Sequence, residues 1–463
     1  MPIGRAFAHL AAESPDAVAV RSGDDVLTRR ELDLRSNRVA HAWSDRVGQD
    51  DLVTIGLPNG VDFVLACVAV WKLGATPQPL SPRIGAGERA AILELARPAL
   101  VVDGPLDLAD DASPLPARVA ASWKAPTSSG STGRPKIVRA AAPATVDPDG
   151  RVAPFVPRHA VQMVAGPLFH AAPFVYAMRG LMTGHELVLL RPPQAGGAPG
   201  FDAAEALRTI QTHRVTWTML VPTMMHRIWR LDDRESYDVS SLESVLHMGA
   251  RCAPWLKRSW IDWLGPERVV EVYAGTESQG LAMITGAQWL EHPGSVGRGI
   301  SGSQFRVVRP DGSPCAPGEV GEIVMRRDGP ATYSYVGAEP RVRDGWHTLC
   351  DAGRLDGDGF LYIEDRLDDV IVTGGAKVQP ADVEAVLEEH PAVRSSVAVA
   401  REDDDLGHRV HAVVDVAEAE VTEGELLAWT RERLDPEKVP RSWLLVRRPL
   451  RDDTGKVRRS AHR

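Results

Sequence analysis

Long apolar runs are missing from this sequence. The longest, Val61 to Leu73, is interrupted by Asp62 and Lys72 and stops well short of the roughly 20 residues that a membrane-spanning helix requires. The first residues, MPIGRAFAHLAAESPDAV, hold no apolar core ahead of Pro15 and Asp16, so no targeting segment is expected. Cysteine is scarce: Cys67, Cys252, Cys315 and Cys350 lie far apart with no CxxC pair. That spacing argues against a disulfide or zinc framework and predicts reduced thiols in a cytoplasmic protein. A surplus of basic charge is missing too. Lys and Arg number 53 against 62 Asp and Glu, a net charge of −9, which gives no support to a nucleic-acid or anionic-membrane partner. No internal repeat stands out.

What is present is an ordinary globular composition, 44% hydrophobic and 25% charged over 463 residues, enough for more than one domain. From Leu52 to about Val272, β-type runs alternate with amphipathic helical stretches. LVTIGLP (52–58), PALVVD (98–103), ELVLL (186–190), VTWTMLVP (215–222), VLHMG (245–249) and VVEVYAG (269–275) read as strands. VDFVLACVAVWKLGA after a capping Asn59, GERAAILELAR and AAEALRTIQTH read as helices. The alternation predicts an α/β fold with largely parallel sheets. From Gly294 to Glu364 the chain turns to strands and Asp-Gly, Ser-Pro and Pro-Gly turns. Gly297, Gly299 and Gly302 there match a dinucleotide fingerprint, but EHPGS precedes them instead of an apolar strand, so that reading is rejected. Beyond Arg366 a hairpin (DVIVTGGAKV), a helix from Pro380 to His390, two strands, a helix over 422–434 and SWLLV predict a small α+β domain. The expected division is 1–365 and 366–463. Asp107–Pro116 and Gln194–Gly200 read as surface loops.

The most distinctive stretch is Thr127 to Lys136, TSSGSTGRPK. Gly130 and Gly133 let backbone N–H groups turn toward one point, Ser128, Ser129, Ser131 and Thr132 add hydroxyls, and Lys136 adds a charge. The pattern fits a phosphate cradle or a flexible linker, and it is not the GxxxxGK loop of common nucleotide sites. Further along, Tyr273-Ala-Gly-Thr276-Glu277 ends an apolar strand, where α/β sheets place ligands. Thr276 can bond a phosphate and Glu277 can hold Mg²⁺, which prefers hard oxygen ligands. Asp351 in WHTLCD can accept both hydroxyls of a ribose. Each of these carboxylates taken alone also fits a solvated turn. Arg366 and Asp368 taken alone fit a surface ion pair, and Lys456 a charged terminus.

In this order and spacing, SSGSTGRPK, YAGTE, TLCD, RLDDVIVTGGAKVQPADVE and TGKVRR resemble the motifs of the adenylate-forming superfamily of acyl-CoA synthetases, adenylation domains and luciferases. The resemblance spans essentially the whole chain and implies two half-reactions. A substrate carboxylate attacks the α-phosphorus of Mg·ATP to give acyl-AMP and pyrophosphate; a thiol then takes the acyl group. It assigns Ser128, Ser129, Gly130, Ser131, Thr132, Gly133 and Lys136 to the departing phosphates. Thr276 and Glu277 serve adenylate and magnesium, and Lys456 serves the reacting oxygens. Gly249, Ala250, Arg251 and Tyr273 fall to adenosine, with Asp351 and Arg366 at the ribose. Asp368 becomes a hinge about which the C-terminal domain swings, with Gly375 and Lys377 entering for the second step. His170, in PLFHAA, falls at the acyl side or is a satisfied structural histidine.

The sequence departs from the family pattern at Ala274, at Cys350 before the ribose aspartate, at Arg251-Cys252 and at Pro449-Leu450. LPNGVDFVLACVAVWKLGATPQPLS and HMGARCAPWLKRSW look most like the bile-acid and steroid branch, with a short region before the phosphate loop. That likeness implies a bulky apolar acid, with Val175, Met178, Trp217 and Met248 as pocket candidates or plain core. CoA is the expected thiol; a carrier protein or partner enzyme as acceptor, or a non-catalytic nucleotide-binding relative, are the alternatives. A homo-oligomer is compatible with each.

Overall fold

The structure is a computed structural model that describes residues 1–129, 135–190, 201–366, 369–416, 421–451, 455, 457 and 459–462, with backbone only at 128, 129, 365, 366, 377 and 460. Among the described residues the backbone of the molecule is one long mixed sheet. Its parallel half runs in the order Val269–Ala274, Ser244–His247, Trp217–Leu220, Val161–Val164, Glu186–Leu189, Val18–Ser22. These strands are the continuous apolar runs expected of sheet buried on both faces, and Trp217, Val245 and Val269 are fully buried. Beyond Val269–Ala274 the pairing turns antiparallel through Leu281–Thr285 and Ser295–Gly299 into the strand-and-turn region. Gly297 and Gly299 therefore belong to a sheet strand, in agreement with rejecting a dinucleotide loop. A second parallel sheet of Thr76–Pro79, Leu52–Ile55 and Leu100–Val102 lies earlier in the chain.

The expected helices are found at Val61–Lys72, Ala86–Ala96 and Ala203–His213. One capping assignment fails: Gly60, not Asn59, is the N-cap of Val61–Lys72. The Asn59 side chain instead donates to Gly166 O at 3.0 Å and accepts from Leu168 N at 2.8 Å, so its polar groups pin a neighbouring turn. The expected loop 194–200 lies outside the described residues.

From Ile371 onward the chain has its own core. Among the described residues, Ile371, Val378, Val383, Leu387, Val410 and Leu426 cluster without partners from earlier in the chain. This part comprises the hairpin Ile371–Thr373 and Ala376–Val378, the helix Pro380–Glu388, the strands Val393–Asp403, Gly407–Val416 and Ser442–Val446, and the helix Glu423–Arg431. The helix Pro380–Glu388 begins where its sequence directs, with Pro380 in the first turn and an acidic Asp382 near its positive end. No helix among the described residues is long and apolar enough to cross a membrane.

Candidate active site

Thr127–Ser129 and Pro135–Ala140 form a hairpin whose last pair is Ser129 opposite Pro135. Gly130, Ser131, Thr132 and Gly133 lie outside the described residues, as do the side chains of Ser128 and Ser129. Lys136 is described, and its strand pairs with Tyr333–Val336, Val138 opposite Tyr335. That pairing brings together residues 199 apart in sequence: Lys136 Nζ donates to Tyr335 Oη at 2.7 Å. It also donates to Glu277 Oε1 at 3.2 Å, and the Tyr335 hydroxyl donates to the same oxygen at 2.5 Å.

Glu277 is buried. Burial works against its charge, but the Tyr335 hydroxyl and the Lys136 ammonium outweigh it and hold the carboxyl below its ordinary value. Burial and the neighbouring carboxylate push the Tyr335 hydroxyl well above its own. The loop is tethered from behind: Thr332 Oγ1 donates to Glu277 O at 2.7 Å, and Thr332 N to Gln279 Oε1 at 3.0 Å. Thr276 precedes it, and its carbonyl accepts from Lys124 Nζ at 3.3 Å.

Lys124, outside the sequence motifs and just ahead of the phosphate loop, is a buried cation at this point. Burial pulls its ammonium down to about 8; repulsion from Arg179 adds to this and attraction to Glu277 opposes it. Arg179 stands 5.1 Å from the Trp123 ring. One end of the site thus gathers positive charge around a single carboxylate, a setting for anionic phosphate.

Four residues before Glu277, the Tyr273 hydroxyl donates to Asp351 Oδ2 at 2.6 Å. Asp351 lies opposite Arg366 in the pairing of Trp346–Leu355 with Leu361–Arg366; the Arg366 side chain is outside the described residues. Cys350 occupies the glycine place with φ +63°, a conformation uncommon for a residue with a Cβ. It is held there by its N–H on Thr348 Oγ1 at 2.9 Å and by Arg341 Nη1 on its sulfur at 2.7 Å.

Gly249 and Ala250 follow the strand Ser244–His247, Gly249 with φ +92°. Beneath them Lys257 Nζ bonds Glu271 Oε2 at 2.5 Å, both buried. Arg251 is engaged elsewhere: its Nη1 reaches Asp382 Oδ1 at 3.1 Å and Glu364 O at 3.4 Å. His170 is the N-cap residue of the helix Ala171–Met182, half-buried, its ring 4.6 Å from that of Phe169. Gly375 is at the exposed tip of its hairpin with φ +85° and open space around it. Asp368, Lys456 and the Lys377 side chain lie outside the described residues.

Of the pocket candidates, Val175 and Met178 pack into the N-terminal core. Trp217 and Met248 join a separate cluster with Phe155, Tyr176 and Ala274. Tyr176 lies 5.6 Å from Trp217 and 6.4 Å from Phe155, ring to ring.

The donors at residues 276 and 277 are oxygen only. Among the described residues, the one group of three metal-ligating side chains is His9, Glu13 and Asp149, which excludes Glu277. A lone carboxylate fits Mg²⁺, which is commonly held by one or two carboxylates with substrate phosphates and water completing its shell.

A family model described as AMP-binding enzyme matches residues 7–126 and 125–334, and one described as AMP-binding enzyme C-terminal domain matches 382–456. A feruloyl-CoA synthase of Amycolatopsis sp is 31% identical, covering 96% of this chain and 95% of its own. The structure of o-succinylbenzoate CoA synthetase from Bacillus subtilis, in complex with its acyl-adenylate intermediate, superposes with TM-score 0.82 at 26% identity. It covers 100% of this chain and 98% of that one. Amide bond synthetase McbA from Marinactinospora thermotolerans superposes with TM-score 0.81 at 25% identity, covering 100% and 99%.

Proposed function

The chain belongs to the AMP-binding enzyme family, and from that premise we propose that it joins an aromatic or similarly bulky apolar acid to CoA through an acyl-adenylate. The carrying observation is that one strand, Val269–Ala274, and the turn after it deliver Tyr273 to Asp351 and Glu277 to Lys136. Three motifs distant in sequence thereby meet in one place. We divide the chain into an adenylation domain, 1–365, and a C-terminal domain, 366–463, and place the enzyme in the cytoplasm.

Glu277 would hold Mg²⁺, which would supply neutralisation of phosphate charge, and Thr276 would bond a phosphate oxygen. Lys136 and Lys124 orient the phosphates, Asp351 holds the ribose, and Lys456 faces the oxygens where charge accumulates as the carboxylate attacks. The acid lies toward the Phe155, Tyr176 and Trp217 cluster, beyond His170. Feruloyl and o-succinylbenzoate groups, for which two of the relatives are named, both contain a benzene ring. For that reason an aryl acid is favoured over the steroid-like acid expected from the sequence.

The test is incubation with ATP, Mg²⁺ and a panel of aryl, fatty and polycyclic acids, with and without CoA, read by product mass. Acyl-CoA from an aryl acid is expected. Absence of pyrophosphate with every acid overturns the proposal. A second reading, acyl-AMP handed to another acceptor, draws on the likeness to an amide bond synthetase; acyl-AMP without acyl-CoA would favour it.

Lys124 gives a pH signature. With its ammonium at about 8, the free enzyme loses a phosphate-facing charge above that pH. kcat/KM for ATP, which reports the free enzyme, is expected to fall as pH rises through about 8. Lys124→Arg, which stays protonated, is expected to flatten that limb. An unchanged limb in the variant assigns it to another group.

A further inference from the structure

The last turn of the helix Pro380–Glu388 contains no basic residue, yet helix C-termini leave carbonyls that need donors. Those donors come from a distant part of the chain. Arg230, which follows the helix Pro222–Trp229, extends Nη2 to Glu388 O at 3.0 Å and His390 O at 2.9 Å, and Nη1 to Pro391 O. Its Nε donates to His226 Nε2 at 3.1 Å, one helical turn back, so the guanidinium is fixed on both sides. At the other end of the same helix, Asp382 is paired with Arg251. Both ends are gripped by arginines of the larger domain.

The helix also holds the C-terminal tail. Glu384 accepts from Arg451 Nη2 at 3.0 Å and from Arg459, and Glu388 accepts from Arg451 at 3.4 Å. Arg459 further pairs with Asp369 at 3.4 Å. Arg451 Nη1 bonds Gly455 O at 3.4 Å. Gly455, with φ +74°, lies so near the start of the helix Pro222–Trp229 that a Cβ on it would come 2.6 Å from Thr223 Oγ1. One short helix therefore meets the C-terminal domain twice, at Arg230 by hydrogen bonds and at Thr223 by contact with the residue before Lys456.

We propose that Arg230, aided by Arg251, is a positioning residue that holds the helix Pro380–Glu388, and with it the tail bearing Lys456, in the arrangement that serves adenylation and not thioester formation. The proposal rests on the two-step reading above. Arg230 touches no reacting atom; it acts through Glu384, Glu388 and the tail they bind. Lysine cannot replace it fully, because a single ammonium lacks the planar fork that reaches these carbonyls and His226 together.

The two half-reactions, measured separately, test this. Pyrophosphate release with an accepted acid reports the first, and acyl-CoA formed from supplied acyl-AMP reports the second. Arg230→Gln is expected to lower kcat of the first 10- to 100-fold with KM values within about twofold, leaving the second unchanged or faster. Arg251→Ala, an exposed position, is expected to shift the same ratio in the same direction by a smaller factor, and Arg230→Lys to recover part of the loss. Small-angle scattering of the unliganded proteins gives a readout independent of catalysis: Arg230→Gln is expected to broaden the distance distribution relative to wild type. Equal loss of both half-reactions, no change in either, or an unaltered scattering profile overturns the proposal. Wild-type protein that releases no pyrophosphate with any acid overturns the functional reading instead, and the scattering result still decides whether Arg230 holds the domains.

Discussion

Lys456→Ala is expected to reduce pyrophosphate release by at least about 10²- to 10³-fold, the scale seen when one preorganised charge is removed from a developing oxyanion. Thioester formation from supplied acyl-AMP should persist. The asymmetry follows from how the tail is built. Arg451 and Arg459 anchor it on Glu384 inside the C-terminal domain, and Gly455 meets Thr223 across the domain boundary. In the reading proposed above, these contacts serve the first step and are released for the second. Single-turnover assays of each step with the purified variant provide the check. Loss of both steps to the same degree would contradict alternation between two arrangements.

Glu277→Gln is expected to lower adenylation about 10²-fold and to raise the Mg²⁺ concentration needed for half-maximal rate. The amide keeps the size of the side chain but removes the charge that Lys136 and Tyr335 both address. Stability should change as well, by about 1–2 kcal/mol, as charge-assisted hydrogen bonds are lost. The pH dependence has a definite sign. The Glu277 carboxyl is held below its ordinary value in the folded protein, so its contribution is complete above the ordinary carboxylate range. It is lost as pH falls through the lower folded value. Melting temperature followed from neutral to acid pH should show wild type and variant converging at the acid end. Parallel curves would mean that the carboxylate contributes nothing through its charge.

Much of this site was legible in the sequence because its residues travel in short motifs. Tyr273, Thr276 and Glu277 lie at the end of an apolar strand that periodicity alone locates, and Asp351 is found by its local TLCD turn although its partner Tyr273 lies 78 residues earlier. Lys124, Tyr335 and Arg230 were not legible. Each is a lone residue whose role arises from a partner far away in sequence: Tyr335 from strand pairing with Val138, Lys124 from burial beneath Thr276, Arg230 from a helix end 158 residues on. Burial and non-local contact leave no local pattern. The signals that were there were indirect: a basic residue just ahead of a phosphate loop, and a helix without a cation in its last turn. Arg251 shows the reverse case, where position within a motif suggested adenine and the side chain instead reaches Asp382. The acid was the least legible part: of the two readings open for Val175 and Met178, pocket or plain core, both side chains pack into the core.

The bond from the Tyr273 hydroxyl to Asp351 bears on how a nucleotide is received. The Tyr273 bond at 2.6 Å occupies Oδ2, and a carboxylate accepts on both of its oxygens, so this contact orients Asp351 while leaving it acceptor capacity. In the proposed reading, in which Asp351 holds the ribose, the carboxylate is thus already oriented before nucleotide arrives, and the same bond keeps it so after AMP departs. A carboxylate held in place this way spends less ordering entropy on each binding event. For an enzyme that refills this site with nucleotide in every cycle, an acceptor that needs no rearrangement on each binding event favours turnover.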